Sequence, residues 1–429
     1  MSILDYHLQH VLFRILDRQP QETRYQLRNI SRCGRRTIPA GVGTPSMVAV
    51  LRSSTGESTI FGQQHCRNPH ACPVCSAKIM EVYRAKIASA LDEEYARGYY
   101  GFMATFTIPH LWFMSCRETT DILYETWKYF RLRQRKRADR TWIHPYYEFA
   151  ETTGTKSWVR VCEYTYSFKN GWHPHFHCIF WTPKENFSNV LEWEQRLCDF
   201  WISQAKRITL KYWREHNLHS EMGDLNILLD RVYAHQYDWN QSLRFSRDNK
   251  GKLLRATSSE YLTGWGSDRE ATGNYRKTAS HEGHFTPYQI LEKAEHDERW
   301  AQKYIEFCMA VTQKPVHHRM NFSKDGIYKR VCDWQAINGY VTVGTTNVKK
   351  KSWAVVAYFN ADEWFDISTA NRRTPVIANI LYLAANNIEL LFDYIRSLNI
   401  PIRLPTDGGE FSSGFRTCDV IQRIFNNVA

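Results

Sequence analysis

Three histidines, His173, His175 and His177, stand at alternate positions in the stretch NGWHPHFHCIF, which runs from Asn170 to Phe180. In an extended chain alternate side chains share a face. The three imidazoles and Ile179 therefore point one way, and Phe176, Cys178 and Phe180 the other. Upstream, KSWVRVCEYTYS puts Val161, Glu163 and Thr165 on one face by the same period, and Asn170-Gly171 is a strong short turn signal between the two runs. Folded together, the runs set Glu163 beside the histidines. Two or three imidazoles with one carboxylate suit a divalent cation: the carboxylate favours Mg2+ or Mn2+, and imidazole also takes transition ions. His175, His177 and Glu163 are the expected ligands, with His173 as a further candidate. The competing reading is a row of solvated surface histidines; zinc hydrolysis is another use, but the H-E-x-x-H helix pattern is absent.

A second constellation is built on sulfur. HCRNPHACPVCSAKI carries Cys72 and Cys75 as a CxxC at a loop leading into a helix, with Cys66 and His65 just before. That is a half-site for tetrahedral zinc, which Cys33 in SRCGRR and Cys66 would complete; His65 or His70 could substitute. A thioredoxin-like redox pair and plain buried cysteines are the rivals. The zinc role would be structural, locking the N-terminal region to the domain that follows.

With 429 residues, the chain is too long for one compact core, and two or three units are expected. Hydrophobic content of 43% and aromatic content of 14% describe a folded protein. The net charge of +12 points to a polyanionic partner, nucleic acid first and an anionic membrane second. No apolar run approaches the roughly 18 residues of a membrane span, and the opening MSILDYHLQHVLFRILDRQ reads as an amphipathic helix without a signal-peptide core. Eleven cysteines, an odd number with no export signal, disfavour a disulfide framework and place the chain in a reducing cytoplasm. Arg131, Arg133, Arg135, Lys136 and Arg137 form a dense positive segment that can contact DNA phosphates, although such runs are commonly solvated faces. Fifteen tryptophans and 24 tyrosines offer platforms for unpaired bases, although most such rings belong in cores.

The elements that must position these residues follow from periodicity. A hairpin is expected around Thr55-Gly56, and a helix from the cysteine cluster to Gly98 with Ile79, Val82, Tyr83, Ile87 and Ala90 on one face. YYGFMATFTIPH is a strand, 118–140 a helix, and the histidine run half of a hairpin. Another helix is expected at about Phe187–Lys211, a strand or strand pair in GDLNILLDRVY, and helices in SSEYLTGW and from Pro287 onward. The tail reads as a β stretch, SWAVVAYFNADEWFDI, and a helix through VIANILYLAANNIELLFDYIRSL.

FMATFTIPH (102–110), NGWHPHFHCIF (170–180) and SSEYLTGW (258–265) come in the order of the three motifs of rolling-circle replication initiators, the HUH endonucleases. The chain resembles the single-tyrosine plasmid Rep proteins most closely, from about Cys66 to Asn321; Phe176 supplies the hydrophobic residue between His175 and His177, and the extended GWHPHFH form is the most specific of the motifs. Rep proteins of this type often carry a similar Cys-rich segment before the first motif. The resemblance implies an α+β fold: an HUH-type nuclease core at 99–325 with a mainly antiparallel central sheet flanked by helices. A small zinc-binding extension would precede it at 1–98, and an α/β extension would follow at 326–429.

In such proteins a metal held by the motif histidines polarises a scissile phosphate, and a tyrosine attacks it to leave a 5′-phosphotyrosine and a priming 3′-OH. Tyr261 is the matching nucleophile and Tyr275 the second candidate. Glu260 and Glu270 are candidates for the water-activating carboxylate that some Rep proteins use, although neither sits in a clear motif match. His110, after the first motif, would be a ligand, a DNA contact or a strand-end residue. The chain departs from the commonest pattern in having Gly264 where a lysine is expected three residues after the tyrosine; that role would pass to Arg255, Arg269, Arg276 or Lys277. Implied partners are single-stranded or hairpin origin DNA, a host helicase and a replication polymerase. The alternatives are an HUH transposase or relaxase, and a zinc-containing DNA-binding regulator with a decayed nuclease site.

Overall fold

The computed structural model describes residues 3–38, 46–132, 144–234, 242–256, 283–312, 320–323, 326–327, 329, 340–343, 346–349, 353–369 and 376–401. Among them the strands are, in chain order, β1 (Met47–Ser53), β2 (Ser58–Phe61), β3 (Tyr99–Thr107), β4 (Ser157–Ser167), β5 (Gly171–Pro183), β6 (Leu243–Phe245), β7 (Arg255–Ala256), β8 (Met320–Phe322), β9 (Tyr340–Val343), β10 (Thr346–Lys349) and β11 (Trp353–Asn360). Helices outnumber them, and all described pairings are antiparallel, so the class is α+β. The chain forms two compact units, one of Met1–Val82, Leu291–Ala301 and Gln335–Ala429, the other of Tyr83–Ile290 and Gln302–Trp334.

The second unit is organised by one sheet of order β6-β3-β5-β4-β8, with β7 also on β3. Its backbone is the β4–β5 hairpin, paired from Ser157↔Trp181 to Ser167↔Gly171 without a register shift. Alternation gives each face a different job. On one, Phe176 and Phe180 meet Phe102, Phe106, Trp127, Phe130 and Trp201 in a web of ring contacts 5–6 Å apart. The helices Cys116–Phe130 and Glu194–Glu215 supply Trp127, Phe130 and Trp201 to that web. On the other face Val159, Val161, Ile179 and Trp181 pack with Ile87, Ala90 and Leu91 of the helix Pro73–Ala96. Apolar packing thus covers this face at Ile179 and Trp181, where β5 ends, and the three histidines occupy its beginning.

The helix Cys116–Phe130 starts at Ser115 in a reciprocal capping box with Glu118, which also accepts hydrogen bonds from Trp213 and His219. It ends at Phe130, shorter than the expected 118–140. GDLNILLDRVY is a helix over Leu225–Ala234 rather than a strand: Asp224 accepts from the backbone N–H groups of Asn226 and Ile227, and Leu228, Leu229 and Val232 are buried at helical, not alternating, spacing. The helix expected at about Phe187–Lys211 is a 3-10 stretch, Lys184–Trp193, followed by an α-helix over Glu194–Glu215.

In the first unit, β1 is the middle strand of a sheet ordered β11-β1-β2, closed by the expected hairpin to β2 on one side and by β11 on the other. Ala49, Leu51, Val355 and Tyr358 form its core. The β stretch of the tail stops at Asn360, where Asn360 and Glu363 cap each other and begin the helix Ala361–Thr369. Asn387 likewise divides the last expected helix in two by capping Ile388–Arg396 through the N–H of Leu390.

Gly171 opens β5 at φ +80°, and a Cβ there would lie 2.9 Å from the Leu111 carbonyl oxygen and 3.0 Å from Trp112 Cα. Both the left-handed backbone and the close approach of another segment demand glycine. Gly171→Ala is expected to destabilise the protein by about 2–4 kcal/mol, read as a lowered urea midpoint for loss of the second unit.

Candidate metal centres

Register brings the first site together: Glu163 lies opposite His175 in the β4–β5 hairpin, and Val161 opposite His177. Nε2 of His175 and Nε2 of His177 each stand 3.5 Å from the same Oε2 of Glu163. Both rings are held from behind. Nδ1 of His175 faces its neighbour His173's carbonyl oxygen at 3.4 Å, and Nδ1 of His177 faces the Thr105 hydroxyl, on β3, at 3.1 Å. A carbonyl only accepts, so Nδ1 of His175 is the donor of that bond and Nε2 is the ring nitrogen turned to the carboxylate. Two ring nitrogens thus converge on one carboxylate oxygen at 3.5 Å, an arrangement that a cation among them would suit. The donor set, two imidazoles each backed by a hydrogen-bond partner and one carboxylate, fits a divalent metal ion.

His173 shares the face but lies outside this three-residue group. Its ring packs between His175, at 5.1 Å, and His110, at 4.7 Å. Burial holds His173 well below the ordinary histidine range and lowers buried His110 to about 4; the nearby His284 and His175 add to the depression at His110, and its hydrogen bond to the Ile108 carbonyl opposes it.

The second site lies in the first unit. Cys33, Cys66, Cys72 and Cys75 converge, with Sγ separations of 3.4 Å for Cys33–Cys75, 3.6 Å for Cys72–Cys33 and 3.7 Å for Cys66–Cys75. Thiolates about 2.3 Å from a tetrahedral zinc stand about 3.8 Å apart, close to these three separations, and all four sulfurs lie within 4.8 Å of one another. Hydrogen bonds from Cys66 and Cys72 lower the Cys33 thiol to about 6 and those from Cys33, Cys66 and Cys72 lower Cys75 further, while the hydrogen bonds to Cys33 raise Cys66 and Cys72, so the protons of the cluster are shared unevenly among its four sulfurs. The surround is suited to negative charge: Gln9 donates to Cys72 at 3.6 Å and the Asn68 N–H to Cys66 at 3.4 Å. His65 Nδ1 lies 3.9 Å from Cys33 Sγ, and Lys78 Nζ 3.4 Å from the other ring nitrogen of His65. His65, offered by the sequence as a substitute ligand, is thus a neighbour of the cluster; His70 is outside it.

Sequence reasoning missed Thr105 and Lys78. Period two in FMATFTIPH sets Thr105 on a face with Gly101 and Met103, and Lys78 is one helical turn beyond Cys75; both were open to the same patterning that found the ligands. Tyr261, Glu260, Tyr275, Arg269 and Lys277 lie outside the described residues, as do Glu270, Gly264, Arg276, and Arg133, Arg135, Lys136 and Arg137. Arg131 is described: its half-buried guanidinium packs over Trp158 and Trp127, 4.1 and 4.9 Å from the ring centres. No described helix is long and apolar enough to cross a membrane.

Against known proteins, the chain is 30% identical over 156 residues to the Protein rep of Streptomyces lividans, a match covering 31% of this chain and 33% of that one. The chain therefore spans about a third of the length of the curated relative it matches. No family profile and no solved structure matches it.

Cys75→Ser is expected to retain less metal than the wild type, measured by metal analysis of the purified protein, and to have a lower melting temperature; added cadmium should give thiolate charge-transfer absorption in the wild type and far less in the variant. The histidine below the first site predicts a pH dependence. His110 has a folded pKa of about 4 against an ordinary value of about 6.5. The unfolded chain takes up the proton first as pH falls, so the His110 contribution to stability is full above about 6.5, declines between about 6.5 and 4, and then levels off. About 3 kcal/mol of that decline is expected to vanish in His110→Asn, read by comparing urea midpoints of the two proteins across the window.

Proposed function

We propose that the protein is a plasmid-type rolling-circle replication initiator: a metal-dependent enzyme that nicks and rejoins single-stranded origin DNA through a 5′-phosphotyrosine. The observation that carries the reading is the convergence of His175, His177 and Glu163 on one point, on the strand whose GWHPHFH motif resembles that of HUH nucleases. The partial similarity to the Protein rep of Streptomyces lividans and the net charge of +12 support the same class. In this reading residues 99–325 carry the nuclease chemistry, and the four-cysteine cluster is a structural zinc site.

Glu163, His175 and His177 would hold Mg2+ or Mn2+, with Thr105 orienting His177. An ion held there would supply positive charge to offset the negative charge that develops on the scissile phosphate. The phenolic oxygen of Tyr261 gives its proton to solvent and attacks phosphorus, the P–O3′ bond breaks, and the departing oxygen takes a proton from solvent to become the 3′-OH that primes synthesis. The ester to tyrosine stores the cleaved linkage for rejoining, which hydrolysis would discard. Lys277 and Arg269 are the cations assigned to the phosphate in place of the lysine that Gly264 replaces. A host helicase and polymerase extend the freed end.

The test is a single-stranded origin library incubated with the protein and Mn2+ or Mg2+, followed by denaturing electrophoresis and mass spectrometry of any adduct. A DNA adduct on Tyr261 is expected, absent without added divalent ion and reduced at least a hundredfold in His175→Ala and His177→Ala. An adduct on Tyr275 would keep the class and move the nucleophile. Duplex binding with no adduct from any strand would favour the regulator that Gly264 suggests.

A further inference from the structure

We infer that Trp112, with Phe168 of the hairpin turn that its backbone packs against, is a base-stacking platform that holds single-stranded DNA next to the Glu163–His175–His177 group. The inference deepens the phosphotyrosyl-transfer reading and rests on it for the position of the scissile phosphate.

Trp112 is 67% exposed, the most open large apolar side chain among the described residues. Trp127, Trp158, Trp172, Trp181, Trp201, Trp213 and Trp364 are all buried, which is where folding alone would put an indole. The exposure occurs on a segment that is itself firmly placed. The His110 ring packs on His173 at 4.7 Å, His173 packs on the ligand His175 at 5.1 Å, and Leu111 and Trp112 run against Gly171 at the hairpin turn so closely that no side chain fits between. Phe168, 54% exposed, and the exposed Lys169 belong to that same turn. Two open aromatic rings and a cation therefore flank the end of the hairpin from which the histidine face begins.

Chemistry selects the occupant. Unpaired bases stack on aromatic rings irrespective of sequence, and cations track the phosphates between them; in a duplex the base faces are already covered by one another. A phosphoryl transfer on a flexible single strand needs the flanking nucleotides held so that one phosphate stays at the reacting group. An aromatic anchor on a rigid turn, two residues from His110 in sequence, meets that need, and the net charge of +12 favours a polyanion over an apolar partner.

The full chain, Trp112→Ala and Trp112→Tyr would be titrated into a fluorescein-labelled, mixed-sequence single strand without added divalent ion, and into an oligomer of abasic sugar phosphates of equal length. Trp112→Ala is expected to raise Kd roughly tenfold or more on the base-containing strand, the loss of about one stack. It should leave the abasic oligomer and the slope of log Kd against log salt unchanged, and Trp112→Tyr should restore most of the affinity. Melting curves will report whether each variant is folded. Equal affinity of wild type and Trp112→Ala for the base-containing strand, or an equal loss on the abasic oligomer, would overturn the platform. So would unchanged DNA affinity with a loss of self-association in sedimentation, which would make Trp112 a contact between copies. The adduct on Tyr261, assayed in parallel, reports on the chemistry separately. An adduct without a Trp112 effect removes the platform and keeps the transfer; a Trp112 effect with no adduct from any strand does the reverse.

Discussion

The pairing of β4 with β5 is the constraint on which the rest of the second unit depends. A side chain's face in a sheet is decided by the parity of its position, so a slip of one residue would send every histidine of β5 into the aromatic layer and bring Phe176 and Phe180 out. Two features pin the register. One is the glycine turn at Gly171, with the segment 111–112 lying hard against it. The other is the difference in what the two faces can bury. One face offers phenylalanine to a helical layer rich in tryptophan; the other offers Ile179 and Trp181 to the helix Pro73–Ala96 and leaves the imidazoles together. The candidate metal-ligand group is a by-product of a register that hydrophobic burial enforces.

The two candidate centres answer the problem of concentrated charge differently. At the four-cysteine cluster the sulfurs are surrounded by N–H donors, with His65 and Lys78 adding basic groups, and three of the four residues are buried. That is a closed environment suited to a permanent ion. At the Glu163 group the two imidazoles are only partly covered, and support reaches them from behind, through Thr105 and a backbone carbonyl. Three protein donors on a partly open face leave coordination positions for a substrate oxygen, which suits a working ion.

Much of this was legible in the chain because it depends on local periodicity. Alternation found the histidine face and its carboxylate, and the CxxC spacing found half of the sulfur site, with Cys33 and Cys66 completing it. Failures came where a single polar residue overrides a pattern. Asp224 turns an apolar run into a helix, Asn360 stops a strand, and Asn387 breaks one helix into two. Each acts through a side-chain bond to one or two backbone N–H groups, an effect of about 1 kcal/mol that hydrophobic patterning does not register. The partner of β1 was equally hidden, since nothing local to Met47–Ser53 announces Trp353–Asn360.

That last pairing bears on how the protein is made. β1 is the centre of its sheet, and Met47 is matched to Asn360, so most of the chain must be synthesised before the middle strand acquires its second neighbour. The residues 83–290 that dominate the second unit all emerge in the interval, and domains generally fold as they leave the ribosome. Until β11 arrives, one edge of β1 is an unsatisfied row of backbone groups, the kind of edge on which chains aggregate. The four cysteines lie between 33 and 75, so their cluster is complete in sequence early. A metal ion captured there would tether the segments on either side of the β1–β2 hairpin through the long wait for its last strand.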